Sequence, residues 1–217
     1  HRLISYLHHN PKAVQFAYVG DHLCDCYLVL FCDAGFAGDL LDSKSTGGSM
    51  LFLMGPNTRV PISWACKKQG AVSHSSTEAE IIALDAGIRM EGIPALLLWE
   101  EILSVMYNIK PGVKQFARKV TEFGMYELLL SVDNVPHSLP KPLGNAKLII
   151  MEDNDAVLKM LIKGRTNKLR HVPRTHRIDL DWLFEVMRED PGVFLKYINT
   201  KEQVADIFTK GLFTAQT

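Results

Sequence analysis

Apolar and polar positions change period several times along the chain, and each change marks an element. Residues 1–10 (HRLISYLHHN) read as the end of an amphipathic helix, stopped at Asn10-Pro11. From Leu23 a β-rich run, CDCYLVLFCD, leads to a glycine-punctuated turn, AGFAGD. Two further strand patterns, GGSMLFLM and RVPISWACKK, are separated by GPNT, a natural hairpin turn. Three short-linked strands in succession predict an antiparallel meander.

The period then lengthens. A helix is expected from about Ser76 through EAEIIALDAGIRM, with a break or kink at Gly92-Ile93-Pro94, resuming as ALLLWEEILSVM. Residues 107–146 are irregular, with several prolines and glycines and one apolar patch, MYELLLSV, and read as an insertion. KLIIME is a short apolar strand of the kind buried within a sheet, followed by a helix, DAVLKMLIKG, ended by Gly164. A basic loop comes next. IDLDWLFEVMRE is a helix, VFLKYI a fifth strand and KEQVADIFTKGL a closing helix. The order βββ-α-β-α-α-β-α predicts an α/β fold. Its five-stranded mixed sheet has three antiparallel strands and two reached by helical crossovers.

Composition narrows the function. With 217 residues, 47% hydrophobic and 22% charged, the chain can bury a substantial core. Lys+Arg and Asp+Glu both number 24, so no global positive field advertises a polyanionic partner, and any nucleic-acid contact has to come from local patches. The longest apolar runs, such as YLVLF, are too short to cross a bilayer, and no basic-then-apolar signal segment opens the chain. It begins with His rather than Met, as a fragment or processed piece would. Of four cysteines, Cys24 and Cys26 would share one face of a strand. Their C-x-C spacing is not that of a zinc knuckle, and reduced thiols are preferred over a metal clip with His22.

The chemistry is carried by four acids, each in its own motif: Asp33 in FCDAGFAGD, Glu80 in SSTEAEIIAL, Asp153 in MEDNDAV and Asp206 in VADIFTKGL. Each lies at the end of a strand-like run or near the start of a helix-like one. Gathered carboxylates repel one another unless a cation neutralises them, and oxygen-only ligands suit Mg²⁺ or Mn²⁺. Each acid also has a structural reading. Asp33 could initiate a turn. Glu80 could close a capping box with Thr77, although Ser75 and Glu78 form an equally good box that would leave Glu80 one turn in. Asp153 could be a helix N-cap, and Asp206 could be a solvated helix residue. The stretch KGRTNKLRHVPRTHR (163–177) holds six Lys/Arg and two His with no acid, so it is either a solvated loop or a phosphate contact.

Taken together the motifs resemble the ribonuclease H domain of a copia-type LTR retrotransposon Pol polyprotein. Asp33-Ala34-Gly35-Phe36-Ala37-Gly38-Asp39 is similar to D-A-D-W-A-G-D, and Ser45-Thr46-Gly47 to part of R-S-T-S-G. Ile62-Ser63-Trp64 with Lys67-Lys68-Gln69 matches I-S-W-x-x-K-K-Q, and 75–80 matches S-S-T-E-A-E. Asp153-Asn154 matches the D-N of the fourth strand, and 205–212 matches A-D-x-F-T-K-x-L. Coverage is about residues 20–213 without 107–146. There are departures: Gly35 replaces the second Asp of D-A-D, Phe36 its Trp, and Arg177 stands at the His of R-T-K-H-I-D.

The resemblance implies a ribonuclease H-like fold over 21–213, with 1–20 as the tail of the preceding reverse transcriptase region. It implies Asp33, Glu80, Asp153 and Asp206 as catalytic metal ligands for two Mg²⁺ (or Mn²⁺) ions, and an RNA–DNA hybrid as substrate. The RNA strand would be cut to 3′-hydroxyl and 5′-phosphate ends. Arg170, Arg174 and Arg177 are the expected nucleic-acid contacts. Reverse transcriptase and integrase regions of the same polyprotein are the expected partners, without a membrane, in the cytoplasm or a virus-like particle. Two other readings stand beside it. In a DDE integrase-type core the Glu would come late, after the fourth strand. In a non-catalytic remnant the fold would bind nucleic acid or support a polymerase.

Overall fold

β1 (Tyr27–Gly35) is the strand around which the other elements are arranged, and it is buried on both faces. Leu28, Leu30 and Cys32 alternate with Val29 and Phe31, so period two sends one set to each side of the sheet. The computed structural model describes residues 2–12, 14, 16–39, 41–107, 145–164, 169 and 171–210. Arg170, the segment 108–144 with its apolar patch, and Gly211-Leu212 lie outside the described residues.

β1 pairs antiparallel with β2 (Thr46–Met54), and β2 pairs antiparallel with β3 (Arg59–Lys68). The GPNT turn closes the second hairpin, the Gly55 amide donating to the Thr58 carbonyl at 2.9 Å. On its other edge β1 pairs parallel with β4 (Leu148–Glu152), which pairs parallel with β5 (Val193–Tyr197). The order β3-β2-β1-β4-β5 is the mixed sheet of the ribonuclease H-like fold expected from the sequence. β1 starts later than the apolar run suggests. Leu23–Asp25 form a 3₁₀ turn, so Cys24 is exposed on that turn while Cys26 is buried beside it, and both are free thiols.

Helix α1 (Arg2–His9) ends at Asn10 as expected. α2 (Ser76–Gly87) is buried nearly all round, its acids Glu78, Glu80 and Asp85 included, with Ile81 and Leu84 against the sheet. The expected break before Pro94 is instead a widening. Ile88–Gly92 form a π-helical turn in which the Ile93 amide donates to the Ile88 carbonyl, and α3 (Ile93–Tyr107) continues directly. Proline supplies no amide, and the wider turn carries the ladder past that gap.

α4 (Asp155–Lys163) ends at Gly164, which adopts φ 79°. The basic stretch contains a short helix, α5 (Val172–His176), followed by α6 (Leu180–Glu189), capped by Asp179. The main core lies between the sheet and these helices. It joins Leu28, Leu30 and Ile150 to Leu96, Val157, Leu161, Val172, Leu183 and Phe184, each fully buried apolar side chain contributing roughly 1.5–3 kcal/mol. A smaller cluster of Val29, Phe31, Phe52 and Ala205 occupies the other sheet face.

The closing helix departs from expectation. The described residues 201–210 do not form one continuous helix: they hold a 3₁₀ turn (Thr200–Glu202) and a one-turn helix, α7 (Asp206–Thr209). Gln203 accounts for the interruption. Its buried amide donates to the Cys32 carbonyl at 2.8 Å, anchoring the segment to β1 in mid-course.

Candidate metal centre

The carboxyl ends of the parallel pair β1 and β4 lie side by side, and that is where the acids collect. Asp33 continues the Val29–Phe31 face of β1 and is 4% exposed, so it is a buried strand residue rather than a turn initiator. Glu80 is one turn into α2. The helix is capped by Ser75, whose hydroxyl accepts from the Glu78 amide at 3.2 Å, so the Thr77–Glu80 box does not form and Glu80 turns toward the sheet. Asp153 is also released from capping. Asn154 is the N-cap of α4, its side-chain oxygen accepting from the Ala156 and Val157 amides at 3.0 and 3.4 Å.

One carboxylate oxygen from each of Asp33, Glu80 and Asp153 lies within 4.8 Å of the other two. Asp206 approaches from α7 and is not one of that trio. Its charge reaches Asp33, while Lys210, one turn on, pairs with its Oδ2 and its Oδ1 is buried without a partner. The Thr209 hydroxyl donates to Asp33 Oδ2. The structure thus brings three of the four predicted acids into one ligand-sized group and sets the fourth beside it, neutralised by a lysine.

The electrostatics follow from crowding in a dry place. Burial first, then Glu152, Asp33 and Asp153, push Glu80 up to about 9, opposed by a main-chain hydrogen bond at Ala34. Burial raises Asp33 as well. The Thr209 hydrogen bond works against it, and Asp206 and Asp153 add to it. For Lys210 burial pulls downward, but Asp206 leads the acids that hold it above its ordinary value.

Sequence reasoning missed three participants. Glu152 is fully buried, continues the Leu148–Ile150 face and is pushed up to about 8, chiefly by burial, with the Asn154 amide donating to it at 3.1 Å. Strand alternation points it away from Asp153. That alternation is what aims it at the helix side, where Glu80 sits. Thr209 and Lys210 were in view only as parts of a motif.

The donor set fits a hard divalent cation. The oxygens come from acids alone, and Glu80 Oε2, Glu152 Oε2 and Asp206 Oδ1 are buried with no hydrogen-bond partner. Of the expected nucleic-acid contacts, Arg174 and Arg177 are exposed, on and just after α5, and Arg177 has φ 56°.

Comparison with known proteins bears on descent. The chain is 40% identical over 79 residues to the retrovirus-related Pol polyproteins from transposons RE1 and RE2 of Arabidopsis thaliana. Over that stretch the chain is similar to retrotransposon Pol polyproteins. The matched stretch is 36% of this chain and 5% of the length of either polyprotein. No protein-family model matches it. Among solved structures it is similar to the N-terminal RNase H domain of Rv2228c from Mycobacterium tuberculosis, solved as a fusion with maltose-binding protein. That likeness has 9% identity, 84% of this chain, 90% of that one and a TM-score of 0.42. LC11-RNase H1, isolated from compost, has 12% identity, 84% and 91% coverage and a TM-score of 0.41. Among the described residues, no helix is long and apolar enough to cross a membrane.

Proposed function

We propose that the chain is a divalent-metal-dependent nuclease of the ribonuclease H type, cutting the RNA strand of RNA–DNA hybrids during copia-type retrotransposon reverse transcription. The observation that carries this reading is the convergence of Asp33, Glu80 and Asp153 from a strand, a helix and a strand end within 4.8 Å, with Asp206 beside them. Those acids would hold two Mg²⁺ or Mn²⁺ ions, which supply Lewis acidity at the scissile phosphate and lower the pKa of the attacking water. Thr209 orients Asp33 through its hydroxyl. Gln203 fixes the segment that delivers Asp206. Strand choice would come from 2′-hydroxyls read across the wide, shallow minor groove.

Glu80 stands on the helix after β3 and the last acid follows β5, an order that favours this reading over a DDE core. Residues 1–20 fit the tail of a preceding polymerase region, and the reverse transcriptase and integrase regions of such a polyprotein are the proposed partners. The test is incubation of the purified chain with end-labelled RNA–DNA hybrid in Mg²⁺, with duplex DNA, duplex RNA and Asp153→Asn as controls. Cutting of the RNA strand alone, lost in the variant, is expected. A folded chain that binds Mg²⁺ and leaves the hybrid intact would overturn the reading.

A further inference from the structure

Glu78 lies two residues before Glu80 on α2, about 3 Å along the helix axis, and is equally buried, yet its carboxylate has other partners. Oε2 accepts from the His74 amide at 3.1 Å and from His171 Nε2 at 3.1 Å. Oε1 accepts from His176 Nε2 at 3.1 Å. The reciprocal half of the Ser75–Glu78 box is therefore absent, the carboxylate being turned to histidines 93 and 98 positions away. Each imidazole takes a different oxygen at hydrogen-bond length, so the arrangement is a bridge. The rings of His74 and His171 also meet edge-on, centroids 5.1 Å apart.

The two histidines bracket α5: His171 is its N-cap position and His176 its last residue. A helix of five residues has no stability of its own, so tertiary contacts must fix its orientation. Two sets of contacts do so. Leu169, Val172 and Ile178 enter the main core, and the imidazoles close on Glu78, with the His176 side chain only 2% exposed. What is left facing solvent is Arg174 and Arg177, neither with an ion-pair partner among the described residues. In a chain of zero formal net charge, this places two unpaired guanidinium groups on the segment tied to the N-terminal turn of the helix that carries Glu80.

We infer that Glu78, through His171 and His176, is a positioning residue that holds Arg174 and Arg177 as a phosphate-binding pair for the backbone of a nucleic-acid duplex entering the carboxylate site. The inference rests on the nuclease reading for its substrate, but it is tested by binding, which needs no cleavage.

The probe is a fluorescent RNA–DNA hybrid titrated in EDTA at several salt concentrations, with melting curves for every variant and steady-state kinetics in Mg²⁺. Arg174→Ala/Arg177→Ala should weaken binding about tenfold and flatten the log–log salt dependence by up to about 1.8, at about 0.9 per lost phosphate contact. Glu78→Gln should reproduce both effects, place its kinetic loss in KM rather than kcat, and add little in the arginine-free background. Gln keeps an N–H donor where His had one, so His171→Gln should bind nearly as the natural chain does while His171→Leu should not. His171 is partly exposed, so this pair also carries the test if Glu78→Gln fails to fold. An unchanged salt slope in Glu78→Gln, full additivity with the arginine changes, or a folded chain without affinity for the hybrid would each overturn the inference. Tight, slope-sensitive binding without cleavage would sink the nuclease reading and leave the positioning role standing.

Discussion

Asp33 of β1 pairs across the sheet with Gly48 of β2, and the missing side chain at Gly48 is what lets the Ala205–Thr209 segment lie over that acid. A Cβ there would stand 2.9 Å from Phe208 Cβ, 3.0 Å from Thr209 Cγ2 and 3.2 Å from the Ala205 carbonyl oxygen. Gly35 is placed likewise, with the Thr209 carbonyl oxygen 2.6 Å from where its Cβ would be. Gly35 stands where the D-A-D motif that this segment resembles has its second Asp, and in this chain the position belongs to the approach of α7.

Gly48→Val should therefore push α7 away from Asp33. Overpacking of this kind destabilises by about 1–3 kcal/mol. Urea unfolding should show that loss together with a weaker response to Mg²⁺. A variant as stable and as Mg²⁺-responsive as the natural chain would refute the packing argument.

Mg²⁺ should raise the melting temperature, because several buried carboxylates repel one another without a cation. At a concentration 100 times the dissociation constant the gain corresponds to about 2.7 kcal/mol. Asp153→Asn should abolish the shift. Asp206→Asn should only reduce it, since Asp206 already has the Lys210 ammonium as a partner. Calorimetric scans with and without Mg²⁺ decide, and an Asp153→Asn protein that keeps the full shift would exclude the carboxylate group as the ion's site.

Much of the architecture is legible in sequence because it is set by local periodicity. The hairpin at GPNT, the stop at Gly164 and the buried β4 all follow from neighbours a few residues apart. The closing segment is not legible in this way, because its pattern is helical locally while Gln203 is claimed by the Cys32 carbonyl 171 positions earlier. The same limit hides the two histidines on Glu78. The capping-box spacing offers a sufficient local reason for that glutamate, and nothing in the window reveals the longer-range one. Glu152 is hidden differently: its burial depends on β4 being sandwiched between β1 and β5.

Asp85 supplies a pH test away from the metal centre. Its side chain is fully buried, and burial pushes its carboxyl up to about 6, offset by Arg89 at 2.9 Å and reinforced by Asp179. A folded value above the ordinary 3.8 means that ionisation opposes folding. The penalty is fully present above about pH 6 and is relieved as pH falls toward 4, with roughly 3 kcal/mol as its upper bound. Asp85→Asn cannot ionise. The stability difference between variant and natural chain should therefore favour the variant more at pH 8 than at pH 4.5 in paired urea titrations, and a difference independent of pH would refute the assignment.

Lys210 offers the sharpest test of how the fourth acid is used. Its ammonium pairs with Asp206 and is held charged by Asp206, Asp33 and Asp153 together, so it supplies the positive charge in the cluster when no metal is bound. A divalent cation drawn to Asp206 must compete with that ammonium. Lys210→Met removes the competitor and leaves Asp206 Oδ1 and Oδ2 both open, so the Mg²⁺ concentration giving half of the thermal shift should fall several-fold. Stability without Mg²⁺ should fall as well, because Asp206 then has no counter-charge. Titration calorimetry with Ca²⁺, which takes the same oxygen donors, gives the comparison without turnover. Weaker cation binding in Lys210→Met would mean that the lysine orients Asp206 for the metal rather than occupying its place.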